Sequence, residues 1–356
     1  MFRSRRAPRL AAALASATLL FATAACGSGD DDSGSDSAAS GTESSGSSGA
    51  FPVTLDHKYG STTIDAEPER IVTVGLTDQD SVLALGKVPV GATEWLGGYD
   101  GAVGPWAADK IGSAETPTVL TDTGTGPQVE KIAALKPDLI LAVYGGLTEE
   151  QYEALSKFAP VVAQPKQYND YGVSWQEQTE IIGTALGASD EAAAVVKSTE
   201  DAIKTAADEN PEFQGATAVV ATPYEGMFVF GSQDPRSHLL GDLGFSLPED
   251  LDTVIGDQFG ANISKERTDL LDQDAVVWQV TDVTKDADTL HKDASYKDLN
   301  VVTQGREVFV SESSDYGNAL SMGTVLSLPY VIERLVPQLA AAVDGKTDTP
   351  VEQPAS

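Results

Sequence analysis

The chain has 356 residues, 41% of them apolar and 22% charged, which is enough to bury the cores of two lobes of ~150 residues each. Acids outnumber bases to a net charge of −31, so the surface repels nucleic acid and anionic lipid head groups, and no nucleic-acid partner is expected. The one cysteine, Cys26, excludes an intramolecular disulfide and a Cys-rich metal site; three scattered histidines (His57, His238, His291) offer no transition-metal cluster, so no metal site or cofactor is expected.

Residues 1–25 read as an export signal. Arg3, Arg5, Arg6 and Arg9 form a basic start, and Leu10 to Ala25 form an apolar run of 16 residues. That run is shorter than the ~20 residues a membrane span needs. Thr23-Ala24-Ala25-Cys26 resembles a bacterial lipoprotein processing box, with Thr23 where that family usually has leucine. The resemblance implies that Cys26 is lipidated and becomes the mature N-terminus, placing the protein on the outer face of the cell membrane. From Cys26 to Ala50 the chain is nearly all Gly, Ser, Asp, Thr, Glu and Ala, which predicts a disordered tether.

A first α/β lobe is predicted over residues 51–188. Arg70 to Gly75 is a short β-branched strand, Asp80 to Leu85 a helix stopped by Gly86, and Pro89 to Gly91 the start of a second strand. Glu130 to Leu135 is helical. Asp138 to Val143 is apolar without alternation, as a strand covered on both faces should be. A helix over Glu149 to Phe158 and a strand over Pro160 to Val162 follow. The alternation of strand and helix predicts a parallel sheet. A helix over Ser174 to Leu186 ends at Gly187. Ser189 is placed as the N-cap of a long helix, so residues 189–210 should form a rigid bridge.

A second α/β lobe is predicted over residues 211–345. Its strands are Ala216 to Ala221, Phe228 to Phe230, Ala275 to Val280 and Val308 to Val310. Its helices are Ser237 to Leu243, Arg267 to Leu271, and a closing helix over Leu326 to Val343 that Pro337 should kink. Residues 346–356 are expected to be a disordered tail. The fold class is therefore α/β: two Rossmann-like lobes with mainly parallel sheets, bridged by one long α-helix and without sequence repeats.

No Gly-x-Ser-x-Gly elbow, P-loop or His-Glu-x-x-His signature is present, and Gly124-Thr-Gly126-Pro lacks the third glycine and preceding strand of a dinucleotide site. An enzyme is not expected. Pro68-Glu-Arg-Ile-Val72, Gly91-Ala-Thr-Glu-Trp95 and Glu130-Lys-Ile-Ala-Ala-Leu-Lys-Pro-Asp-Leu-Ile140 follow one another in order, and later come Ser174 to Gln178, Leu239 to Gly244, Ile263 to Glu266 and Leu320 to Pro337. Together they resemble the iron-siderophore class of periplasmic-type binding proteins, the ferrichrome and cobalamin type, over about residues 52–342.

The resemblance implies a monomeric carrier that holds a ferric siderophore between its lobes and delivers it to an ABC permease. It places one docking glutamate on each lobe, Glu130 and Glu266, to pair with permease arginines. For the ligand, aromatic faces and a guanidinium fork suit a bulky ferric complex. The candidates are Trp95, Tyr99 and Trp106 in a Gly-rich loop, Tyr144 and Tyr224 after strands, Trp175 at a helix start, and Arg236, Arg306 and Tyr316 in loops. Trp278, inside a buried-type strand, is expected in the core. Haem or a cobalamin is the alternative cargo; an enzymatic or sensory surface lipoprotein is the alternative outside the class.

Overall fold

The computed structural model describes residues 50–352 apart from Thr123, Asp257 and Asp348. The predicted signal peptide, Cys26 and all but the last residue of the predicted tether lie outside the described residues.

A hairpin comes first: β1 (Val53–His57) pairs antiparallel with β2 (Gly60–Ile64). Then follow β3 (Ile71–Thr73), α1 (Asp78–Ala84), β4 (Gly91–Glu94), β5 (Thr118–Thr121), α2 (Val129–Ala134), β6 (Leu139–Ala142), α3 (Glu149–Leu155) and β7 (Val161–Ala163). The strands from β3 to β7 form one parallel sheet in the order β5-β4-β3-β6-β7. The unbroken apolar run of β6 has a simple cause. Leu139 and Leu141 face one cluster with Ile182, while Ile140 and Ala142 face another with Ile132 and Leu155. Side chains alternate across a strand, so a strand covered on both sides must be apolar throughout.

Two helices follow, α4 (Trp175–Ala185) and α5 (Ser189–Glu209). With 21 residues, α5 spans ~31 Å. It buries Ala192, Val196, Thr199, Ile203 and Ala207, a one-sided stripe at helical spacing. Ser189 is the first helical residue and not the cap; Ala188 takes that position, and the Ser189 hydroxyl meets Thr184 Oγ1 at 3.3 Å.

The second lobe contains β8 (Ala218–Thr222), β9 (Phe228–Phe230), α6 (Pro235–Asp242), α7 (Leu251–Ile255), β10 (Gly260–Asn262), β11 (Ala275–Val280), α8 (Val283–Leu290), α9 (Asn300–Thr303) and β12 (Glu307–Ser311). Its sheet has the order β10-β9-β8-β11-β12. Helices α10 (Asp315–Met322) and α11 (Ser327–Val343) close the chain.

Strand for strand, the two sheets have the same order, a structural repeat with no counterpart in the sequence. They differ at one strand: β4 is parallel to its neighbours, whereas β9 is antiparallel to both β8 and β10. Trp278 is fully buried, as expected of the core, and its indole N–H donates to the Tyr296 hydroxyl at 2.7 Å.

Lys265–Leu271 is helical, in the 3-10 form, and helix α11 runs on through Pro337. One further expectation is corrected. Val351 and Glu352, placed in the free tail, are tied down: Val351 packs on the second-lobe core and Gln338 Nε2 donates to the Glu352 carbonyl at 3.0 Å.

Candidate ligand cleft and docking residues

The first lobe meets the first turn of α10 through Tyr99 and the segment before α6 through Asn169, and Tyr144 lies within electrostatic reach of Asp234 and Arg236. The sequence Asp234-Pro-Arg places Arg236 in the first turn of α6, not in a loop: Asp234 is the N-cap, accepting the Arg236 backbone N–H at 2.9 Å, and Pro235 fills the first helical position.

The Arg236 guanidinium is held on four sides. Its Nε and Nη2 each donate to one oxygen of Asp234 at 2.7 Å, and Nη1 donates to Gln279 Oε1 at 2.5 Å. It lies 3.6 Å from the centre of the Phe230 ring. The Arg236 side chain is 12% exposed and that of Asp234 4%. A bidentate pair on an aromatic face is rigid, so this donor group is pre-aimed.

Tyr144 faces it from the first lobe. The buried Asp78 carboxylate fixes the backbone there, accepting the N–H groups of Val143 and Tyr144 at 2.8 and 3.0 Å and the Gln178 amide at 2.8 Å. Burial raises the Tyr144 hydroxyl pKa, and the Asp234 charge raises it further while Arg236 pulls it down. Trp95 and Tyr171 flank Tyr144 with ring centres 6.4 and 6.0 Å away. Tyr171 is 41% exposed and holds φ +63°, a conformation that costs a bulky residue ~1–3 kcal/mol and collects at functional sites.

On the second lobe, Phe230, Phe228 and the half-exposed Phe259 form a chain of ring contacts leading away from Arg236. Asn169 Nδ2 reaches Gln233 Oε1 across the junction at 3.5 Å.

The Gly-rich loop candidates have another duty. Tyr99 donates its hydroxyl hydrogen to Asp315 at 2.7 Å and accepts from Asn318 Nδ2 at 3.0 Å, both on α10. Burial and Asp315 push its pKa up to about 12. Trp106 packs edge-on to Tyr99, lies 6.1 Å from Tyr330, and donates its indole N–H to Asp80 at 2.8 Å. Thr324, from the turn between α10 and α11, donates to the same oxygen of Asp80. These contacts tie the lobes together.

Asp80 is 1% exposed and its other oxygen has no hydrogen-bond partner among the described residues. Burial pushes its pKa to about 6, above the ordinary 3.8, against the pull of Thr324 and Trp106. A carboxyl raised in the folded state stabilises fully below pH ~4 and loses that contribution as pH rises through 6, a swing of roughly 3 kcal/mol. Asp80→Asn removes the charge and keeps an acceptor for Trp106. The stability of the variant relative to wild type is therefore expected to climb between pH 4 and 7, measured by urea unfolding. A flat difference would show that Asp80 does not titrate in that range.

Three candidates are not brought to the junction, and a fourth, Tyr224, opens onto the sheet edge that carries Gln279 and Glu312. Tyr316 is buried, donates to Gln338 Oε1 at 2.9 Å, and belongs to the second-lobe core. Trp175, in the first turn of α4, is 6% exposed in the same cluster, which also holds Val196 and Ile203 of α5. Arg306 precedes β12 and pairs at 3.1 Å with Asp274, which precedes β11. In a parallel sheet both sit at the starts of strands, opposite the edge that carries Gln279 and Glu312. Tyr224 is 62% exposed in the β8–β9 turn and lines a cavity of about 570 Å³ within the second lobe, with Lys265, Asp293 and Glu312.

Tyr171, Gln233, Asp234, Gln279 and the three phenylalanines are residues that sequence reasoning missed. Two signals were available. The pattern Phe228-Val-Phe230 puts both rings on one face of a strand, and Asp-Pro before Arg236 marks a helix start.

Glu130 and Glu266 are both exposed and form no hydrogen bond or ion pair among the described residues. Glu130 lies in the first turn of α2 after β5, and Glu266 in the 3-10 turn after β10. Since β5 and β10 are the corresponding edge strands of the two sheets, the two acids occupy equivalent places on the two lobes.

Residues 71–310 match the periplasmic binding protein family. The Fe(3+) dicitrate-binding periplasmic protein FecB of Escherichia coli is 27% identical over 205 residues, 56% of this chain and 64% of that protein. A periplasmic solute binding protein from Mycobacterium smegmatis is 32% identical with TM-score 0.72, covering 82% of this chain and 99% of that one. The iron-uptake protein PiaA of Streptococcus pneumoniae, solved with ferrichrome, is 30% identical with TM-score 0.71, again covering 82% and 99%. The match spans under two thirds of the E. coli relative, whereas the solved structures align along nearly their whole length. This chain belongs to the periplasmic binding protein family.

Proposed function

We propose that the protein is an extracytoplasmic, lipid-anchored monomer that captures a ferric siderophore between its lobes and hands it to an ABC permease. The observation that carries the reading is the lobe junction: a guanidinium fixed by Asp234 and Gln279 on the Phe230 ring, with Tyr144 and its neighbours Trp95 and Tyr171 contributed by the first lobe. Such a junction offers stacking area and directed donors, which is what a bulky, oxygen-rich complex needs. FecB and PiaA, named or solved with ferric ligands, support it. Glu130 and Glu266 are the docking pair in this reading, and Cys26 carries the lipid. The role in this reading is binding.

Tryptophan fluorescence of residues 51–356 tests the cargo. A ferric siderophore is expected to quench saturably at submicromolar concentration, through Trp95 above all, since Trp175 and Trp278 are buried. Quenching by haem or cobalamin alone would keep the family and reassign the cargo.

A further inference from the structure

The helix that ties the two lobes together also supports Arg236. Asp315 and Asn318, three apart on α10, both hold the Tyr99 hydroxyl of the first lobe, at 2.7 and 3.0 Å. Just past the other end of the helix, Thr324 donates to Asp80, again a first-lobe residue. A different part of α10 meets Gln279 of β11. The Gly317 carbonyl and the Ser321 hydroxyl accept from Gln279 Nε2 at 3.2 and 2.9 Å. Its amide oxygen, Oε1, accepts from Arg236 Nη1 at 2.5 Å. Gln279 is 3% exposed, so it depends on these protein partners rather than on bulk water.

The helix has no slack. Gly317 sits so close to the end of β12 that a Cβ there would lie 2.1 Å from the Ser311 carbonyl oxygen. Gly323 caps the helix at φ +54°, and a Cβ there would lie 2.6 Å from Cβ of Pro235, the residue before Arg236. Helix α10 thus reaches the arginine along two routes, through Gln279 and through Pro235. A carboxamide is planar, so its nitrogen and oxygen move as one unit. A shift of α10 therefore moves the acceptor that aims the guanidinium, and close-packed elements pass on such shifts as discrete rearrangements.

We infer that α10 is a coupling helix and Tyr99 a positioning residue, which through α10 and Gln279 holds Arg236 in its ligand-ready pose while the lobes are together. Tyr99 does this without touching the ligand. Separation of the lobes breaks its grip, loosens Gln279 and frees Arg236 to turn away, so opening itself lowers affinity. The part Arg236 plays toward a ligand rests on the function proposed above; the coupling along α10 does not.

The coupling is read first without ligand, by heteronuclear NMR of the purified protein. Tyr99→Phe removes both bonds to α10 and keeps the ring against Trp106. Exchange of the Gln279 side-chain amide with water is expected to rise at least ~10-fold. The indole N–H of Trp278, its neighbour in β11 bonded to Tyr296, should be unchanged, whereas general destabilisation would speed both alike. Asp315→Ala, at an exposed position, cuts the same grip from the helix side and serves if Tyr99→Phe does not fold. Ferrichrome titration of wild type, Tyr99→Phe, Gln279→Leu and the double variant then reads the consequence. Tyr99→Phe should weaken binding about 5-fold or more, and should add nothing in the Gln279→Leu background. Losses that add would make Tyr99 a direct ligand contact. Unchanged Gln279 exchange, or wild-type affinity in Tyr99→Phe, would make it a plain strut. Any of these results would overturn the inference. If wild type itself does not bind ferrichrome, that counts against the siderophore reading, and the exchange measurement alone decides the coupling.

Discussion

Replacing Glu130 and Glu266 together with alanine is expected to abolish iron delivery to the cell while leaving ligand affinity and stability unchanged. Both side chains are exposed and form no hydrogen bond or ion pair among the described residues, so folding should shift by no more than ~0.5 kcal/mol. Neither is among the residues around Arg236, so ligand binding should persist. What is lost is orientation. Two charge pairs, one on each lobe, define the register of a carrier on its permease with little buried area. Each single change should leave partial uptake, because one pair still attracts but no longer fixes rotation. Uptake of radio-iron by cells carrying each variant, beside in vitro titration of the same proteins, separates the roles. Undiminished uptake by the double variant would remove both residues from docking. The rival role, a favourable charge at a helix start, predicts only a small loss of stability and normal uptake.

Arg236→Ala is expected to damage both folding and binding. It leaves the Asp234 carboxylate, 4% exposed, with only the helix N–H for company. Removing one partner of a buried pair costs about 3–5 kcal/mol, and the surviving helix cap favours the lower end. Ligand affinity should fall at least ~100-fold, since a directed donor disappears and a bare anion takes its place. Combining Arg236→Gln with Asp234→Asn should recover most of the stability, because a neutral polar pair replaces the orphaned charge, but should not recover full affinity. Urea unfolding of the single and double variants, with ligand titration of each folded protein, reads both quantities. If Arg236→Ala bound ligand normally, the guanidinium would be a structural strut and the cleft would lie elsewhere.

The strands that build both sheets were legible because burial on two faces demands unbroken apolar runs. Asp138 to Val143 and Ala275 to Val280 carry that signature, and β6 and β11 lie within them. The short edge strand β10 was not legible: Gly260-Ala-Asn262 has no apolar pattern and is held by pairing with β9. Helix starts were read well where the capping side chain is local, as at Ser174, and missed where backbone geometry alone sets the end, as at Ala188.

The aromatic candidates divide by the same logic. Type and position in a loop singled out Trp95 and Tyr144, whose rings meet, but could not separate them from Tyr316 and Trp175, whose side chains lie in the core. Partners decide such cases, and partners are distant in sequence: Tyr99 finds Asp315 216 residues on, and Asp80 finds Thr324 244 residues on. Local chemistry thus determined the two α/β lobes, the long α5 between them and the family motifs, because each depends on neighbours a few positions away. The lobe junction, the pairing that neutralises Arg236 and the sorting of aromatic rings between cleft and core were decided only by the tertiary structure, because they depend on which far segments the folded sheets bring within a hydrogen bond of one another.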